Sequence, residues 1–149
     1  MSQIVLLDTG ILGMVTNPKA NLQCEKCKQW LNSLSSKNYL VALPEITDYE
    51  LRRELIRASK LRGIRQLDEL KSLIIYLPIT TPVMLKAAEL WAQARIEGYP
   101  TAHSEALDGD VILAAQAVLI QLEGHSVTIA TTNVNHLSRF ISAKTWEEI

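Results

Sequence analysis

Residues Ile4-Val5-Leu6-Leu7-Asp8-Thr9-Gly10 decide how this chain is read: four strand-forming residues stop at a carboxylate and run into a turn. Further runs of strand character follow at Tyr39–Leu43, Leu73–Leu77 and Val127–Ala130, separated by longer segments of helical period. Parallel neighbours need a crossover of a dozen or more residues, so this alternation predicts a parallel sheet covered by helices on both faces. The expected fold class is α/β, a three-layer α/β/α arrangement forming one domain over residues 1–149.

After Pro44, the segment Glu45–Leu61 places Leu51, Leu55, Ala58 and Leu61 on one stripe of a helix, with Thr47 or Asp48 available as its cap. Leu67, Leu70, Leu73 and Ile74 extend a second helix behind it. Thr81-Pro82 opens a third, whose stripe includes Leu85, Ala88, Trp91, Ala92 and Arg95 and which Gly98-Tyr99-Pro100 ends. The polar stretch Thr101–Asp108 reads as a loop. It leads into a helix from about Gly109 to Leu122 that is nearly apolar all round and must be buried on most sides.

A chain of 149 residues buries about two-thirds of the surface its unfolded form exposes, and 48% hydrophobic with 21% charged residues suits a soluble globular protein. Fifteen Lys plus Arg against sixteen Asp plus Glu give a net charge of -1, which excludes a global positive field and leaves any polyanion to a local patch. Cys24 and Cys27 are the only cysteines; they supply half a zinc site at most and read as two thiols on successive helical turns. Reduced cysteines suit the cytoplasm. Met1-Ser2-Gln3 carries no basic segment and Asp8 cuts the apolar run behind it, so no signal peptide is expected. The richest apolar stretch, Val111–Ile120, is broken by Gln116 and falls short of the ~20 residues of a membrane span.

The chemistry is sought among carboxylates at element junctions. Asp8 ends a strand, Glu50 lies in Ile46-Thr47-Asp48-Tyr49-Glu50-Leu51, and Asp110 lies in Leu107-Asp108-Gly109-Asp110-Val111. Ligands of open parallel sheets bind outside the carboxyl ends of the strands where strand order reverses, and all three acids can converge there. Gathered carboxylates repel by on the order of 4 kcal/mol per close pair at an effective dielectric near 20, which a divalent cation relieves. Oxygen ligands point to Mg²⁺ or Mn²⁺. Each acid has a simpler alternative. Asp8 serves equally as a turn residue, Glu50 as a surface partner of Arg53 with Glu54 as a rival ligand one turn on, and Asp108 or Asp110 as a helix cap.

Four segments also resemble the motifs of PIN domains: Leu6-Leu7-Asp8-Thr9, Ile46-Thr47-Asp48-Tyr49-Glu50-Leu51, Asp110-Val111-Ile112-Leu113-Ala114-Ala115-Gln116-Ala117 and Thr131-Thr132-Asn133-Val134-Asn135-His136-Leu137. Their order, spacing and the total length are similar to the single-domain members, especially VapC-type toxins. The resemblance implies a Mg²⁺- or Mn²⁺-dependent endoribonuclease, usually a homodimer, whose cut leaves a 5′-phosphate and a 3′-hydroxyl. It also implies a cognate antitoxin, a separate protein that lays a strand or helix over an apolar surface and inserts a basic side chain among the acids.

Under that resemblance Asp8, Glu50 and Asp110 are the metal-site acids. Glu50 is preferred to Glu54 because it occupies the Glu of Ile-Thr-x-x-Glu-Leu; Asp110 is preferred for its register with Ala114-Ala115, with Asp108 as an accessory ligand. The fourth motif departs from the most acidic pattern, since Asn133 stands where Asp or Asn is found and His136 where another acid often stands. Three carboxylates plus an amide favour one tightly held metal; Asn133 would hold a metal-bound water, cap the helix after it, or both. Arg52, Arg53, Arg57, Lys60, Arg62 and Arg65 form the densest basic cluster, with Arg53, Arg57 and Lys60 expected on one face. Arg52, Arg53 and Arg57 are the candidates for holding an RNA backbone, against a solvated face partnered by Glu50, Glu54 and Asp68. His103 and His125 have no motif around them and read as surface residues. Two other functions stay open: an RNA-processing nuclease that is not a toxin, and a PIN-fold binding module without catalysis.

Overall fold

Five strands, all parallel, lie in the order β3-β2-β1-β4-β5. The computed structural model describes residues 2–19, 21–98 and 104–149, with side chains throughout except at 104–107. The strands are β1 Gln3–Leu7, β2 Tyr39–Pro44, β3 Ile75–Leu77, β4 Ser126–Ala130 and β5 Ala143–Lys144. The chain builds outward from β1 through β2 to β3, then returns to the other side of β1 for β4 and β5. Strand order therefore reverses between β1 and β4, and the carboxyl ends of those two strands border the crevice.

The apolar run at residues 4–7 is buried on both faces because both are covered. Ile4 and Leu6 join Ala42, Ile46, Leu113, Ala117 and Ile129 in one core cluster, while Val5 and Leu7 join Ile11, Leu12, Trp30, Leu34 and Leu67 in another. Helices α1 Thr9–Thr16, α2 Leu22–Ser33 and α4 Leu61–Leu73 supply the second layer; α5 Thr81–Ile96 and α6 Ser104–Leu122 pack together on the first face. Between the layers run α3 Glu45–Arg57 after β2 and the one-turn α7 Val134–Leu137 after β4. The three-layer α/β/α architecture read from the sequence is the one observed. Among the described residues no helix is long and apolar enough to cross a membrane.

Local expectations fail in instructive places. Helix α3 begins at Glu45 with Pro44 at the N-cap position and no side-chain cap, so Thr47 and Asp48 lie inside its first turn instead of capping it. The Thr47 hydroxyl donates to the Pro44 carbonyl, and buried Asp48 accepts from Arg52. The helix ends at Arg57 because Ser59 takes a left-handed φ of 54°, which puts Lys60 beyond the break and off the face of Arg53 and Arg57. In α5 the buried stripe is Val83, Ala87 and Ala94; Leu85 of the expected stripe is 64% exposed. Helix α6 begins by Ser104, so Asp108 and Asp110 sit within it and cap nothing. α5 ends at Ile96, with Gly98 behind it at a φ of 67°, while Tyr99, Pro100, the expected loop residues Thr101–His103 and the expected surface position of His103 fall outside the described residues. Gln116, the polar break in the apolar helix, is buried and ties layers together: its Nε2 donates to the Leu77 carbonyl at 2.7 Å.

Cys24 and Cys27 lie one turn apart in α2, both buried and free. Burial pushes the Cys27 thiol up to about 12, with Cys24 and Glu147 adding to the effect. The thiolate is the reactive species, so the folded protein should react negligibly with an aromatic disulfide reagent at pH 8, whereas denatured chains should titrate both thiols promptly. Rapid labelling of two thiols in the native state would contradict the packing of α2.

Candidate functional site

Asp8 leaves β1 at the switch point, and its backbone N–H still donates to the Ala130 carbonyl of β4 at 3.0 Å. Its carboxylate is fixed at both oxygens. Oδ1 accepts from the Thr9 amide at 2.7 Å and caps α1, while Oδ2 accepts from the Thr131 hydroxyl at 2.5 Å. The turn reading and the site reading of Asp8 are therefore the same geometry: capping aims the acid into the crevice. Thr131 is fully buried, and its oxygen also accepts from the Asn133 amide at 2.9 Å, which shapes the turn after β4.

Glu50 does not pair with Arg53. Its Oε1 accepts from the Thr9 hydroxyl at 2.7 Å, so Thr9 holds Asp8 through its amide and Glu50 through its side chain. The rival Glu54 instead pairs with Arg57 on the exposed side of α3, at 2.8 Å. Glu50 also reaches α6: a Cβ built at Gly109 would lie 2.7 Å from its Oε2. The next residue, Asp110, completes the group. Burial first, then the charge of Asp8 and, more weakly, that of Glu50 drive its carboxyl up to about 6, with His136 and Arg139 pulling the other way. His136 places Nδ1 3.8 Å from Asp110 Oδ2.

Asp8, Glu50 and Asp110 are thus brought to one crevice from β1, α3 and α6. Asp108 is exposed on α6 and borders a different cavity, with Met84 and Trp91. Asn133 stands at the N-cap position of α7 but makes no capping hydrogen bond through its side chain, contrary to the expected cap, and is exposed. Arg52 is engaged elsewhere: it donates to both oxygens of buried Asp48, at 2.8 and 3.0 Å, and also pairs with Asp68 at 2.8 Å. Its guanidinium is the counter-charge of a buried carboxylate, which is a structural role beside the RNA-holding one expected from sequence. Arg53 and Arg57 are exposed, Arg53 lying over the Tyr49 ring at 5.0 Å. His125 is half-buried, with no hydrogen-bond partner at Nδ1, and belongs to the turn before β4.

The donor set is all oxygen apart from His136, and the raised Asp110 carboxyl marks a place short of positive charge. As placed, no group of three His, Cys, Asp or Glu among the described residues encloses an ion. Oxygen donors of this kind would suit a hard divalent cation that keeps several waters and takes few protein ligands. Thr9, Thr131 and Gly109 were not singled out from sequence. The hydroxyls beside Asp8 and after β4 carry a signal only once the strand order is known, and Gly109 carries one only once Glu50 is seen against it.

The sequence matches the PIN domain over residues 5–139, a span that holds all of these positions. The chain belongs to the PIN domain family. Solved structures similar to this PIN domain include VapBC2 from Rickettsia felis bound to a DNA fragment from its promoter, at 19% identity and a TM-score of 0.74, covering 96% of this chain and 98% of that one. VapBC-1 from nontypeable Haemophilus influenzae is similar at 18% identity and a TM-score of 0.61, covering 97% and 98%. DNA-bound VapBC from Salmonella typhimurium gives 18% and 0.61, covering 98% and 99%. These likenesses establish a shared fold. No curated protein matches the chain.

Proposed function

We propose that this PIN domain is a Mg²⁺- or Mn²⁺-dependent endoribonuclease and the toxin half of a VapC-type toxin–antitoxin pair. The observation that carries the reading is the convergence of Asp8, Glu50 and Asp110 at the crevice between β1 and β4, with two of them held by threonine hydroxyls. When bound there, a divalent ion supplies charge neutralisation at a phosphodiester and activation of water. The chain's own part is orientation. Thr9 and Thr131 fix Asp8, Thr9 fixes Glu50, and Asp110 adds the third charge, so little rearrangement remains at the moment of reaction. Asn133, exposed at the same mouth, is assigned to water near the scissile phosphate. Exposed Arg53 and Arg57 are assigned to the RNA backbone, each neutralised phosphate adding salt-dependent affinity.

The partner assignments rest on surface chemistry. A cavity of about 640 Å³ between α1, α3 and α4 is lined by Gly13, Leu51, Leu55 and Leu61 with Lys60 and Arg62 at its edge, and suits an apolar segment of an antitoxin. The similar structures are VapBC assemblies, two of them bound to DNA. Met84, Leu85 and Trp91, exposed on α5, are the apolar face we assign to a homodimer. Free, buried thiols suit a reducing compartment, and we place the protein in the cytoplasm.

Purified protein should cleave single-stranded RNA with Mg²⁺ or Mn²⁺, leave 5′-phosphates, and lose activity in EDTA; undiminished cleavage in EDTA would sink the mechanism. Growth arrest on expression of the chain alone separates a toxin from an RNA-processing nuclease. The amide at Asn133, in place of a further acid, and the near-neutral net charge are what favour the alternative of a binding module without catalysis. Calorimetry with Mn²⁺ discriminates, because that module has no need of metal at this crevice.

A further inference from the structure

Glycine at position 109 has no conformational reason to be there. It lies inside α6 and, unlike Gly98 and Gly124 with φ of 67° and 102°, shows no positive φ. Alanine is the better helix former at such a position. What sets Gly109 apart is space. A Cβ there would lie 2.7 Å from Glu50 Oε2 and 3.4 Å from its Cδ, while at Gly98 and Gly124 it would meet nothing. On the other side, Oε1 of the same carboxylate accepts from Thr9 Oγ1 at 2.7 Å. The carboxylate of Glu50 occupies a slot with a hydroxyl for one wall and bare backbone for the other.

We propose that Gly109 is a positioning residue, whose missing side chain is the space that holds the Glu50 carboxylate against Thr9 and beside Asp110. Its effect on rate rests on the nuclease function proposed for this domain; its effect on geometry does not. A methyl group here meets the far end of a flexible side chain, so the fold absorbs it by turning Glu50 away, and the damage is confined to the site.

Gly109→Ala should therefore keep or raise the melting temperature while kcat for RNA cleavage falls roughly a hundredfold, the scale of a misplacement near 1 Å. KM should stay within about twofold, since phosphate-holding residues are untouched. Glu50→Asp, one methylene shorter, should also be slow. The double variant should exceed the product of the two single effects by at least about tenfold, because the shorter acid leaves room for the new methyl. A crystal structure of Gly109→Ala should show Glu50 Oε1 out of hydrogen-bond reach of Thr9. Glu50 still bonded to Thr9 in that variant, unchanged cleavage, or multiplicative single effects would each overturn the assignment. If the parent has no nuclease activity, the functional reading fails and the crystal structure alone decides the slot.

Discussion

Asp8→Asn should lower the proposed metal-dependent RNA cleavage at least about a hundredfold, equivalent to about 2.7 kcal/mol of transition-state stabilisation, while the protein stays folded. Asparagine keeps the volume and removes the charge. Its Oδ1 still accepts from the Thr9 amide and so still caps α1, asparagine being as good an N-cap as aspartate. Its Nδ2 meets the Thr131 hydroxyl, which can accept where it formerly donated. In the metal-free protein the change also removes the larger of the two carboxylate charges that raise Asp110, so the variant should melt no lower than its parent. Full cleavage by the variant would refute the role of Asp8. A melting temperature several degrees lower would refute the picture of a site strained by like charges.

The second large effect lies away from the crevice. Arg52→Ala should destabilise the protein by roughly 2–3 kcal/mol, because it strips two charge-assisted hydrogen bonds from a carboxylate that stays buried. At this chain length each kcal/mol shifts the midpoint by about 2–4 °C, so thermal denaturation should show a fall of roughly 4–12 °C. RNA affinity, measured by filter binding on the Asp8→Asn background, should be unchanged. Arg53→Ala should show the reverse, with stability intact and affinity lowered in a salt-dependent way. If Arg52→Ala lost RNA affinity with no loss of stability, the Asp48–Arg52–Asp68 pairing would be incidental.

The contrast between these arginines shows what a single sequence conveys. Runs such as residues 4–7 and 127–130 announce strands because burial on both faces demands unbroken apolar character. β5, at Ala143–Lys144, has too few residues to carry a pattern and exists through pairing with β4. The start of α6 is hidden in the sequence because Ser104-Glu105-Ala106-Leu107-Asp108 is too polar and too short to show an apolar stripe. The stripe of α5 was read on the wrong side because Leu85 and Trp91 are exposed, and the small residues Ala87 and Ala94 do the packing. Of the three acids only Asp8 stands at an element junction; Glu50 and Asp110 lie inside α3 and α6, and they were legible through the motif spacing around them. Which arginine is structural depends on Asp48 and Asp68, whose proximity only the packing of α3 on α4 creates.

The hydrogen bond between Thr131 and Asp8 joins residues 123 positions apart. β1 precedes β2 and β3 in the chain, and its other neighbour, β4, follows them all. A growing chain therefore carries Asp8 through most of its synthesis with no clamp and no crevice wall. A ribosome that stalls anywhere before residue 131 has emerged holds a fragment in which Asp8 has neither its threonine clamp nor the β4 side of the crevice, so on the proposed nuclease reading activity would arise only after that point.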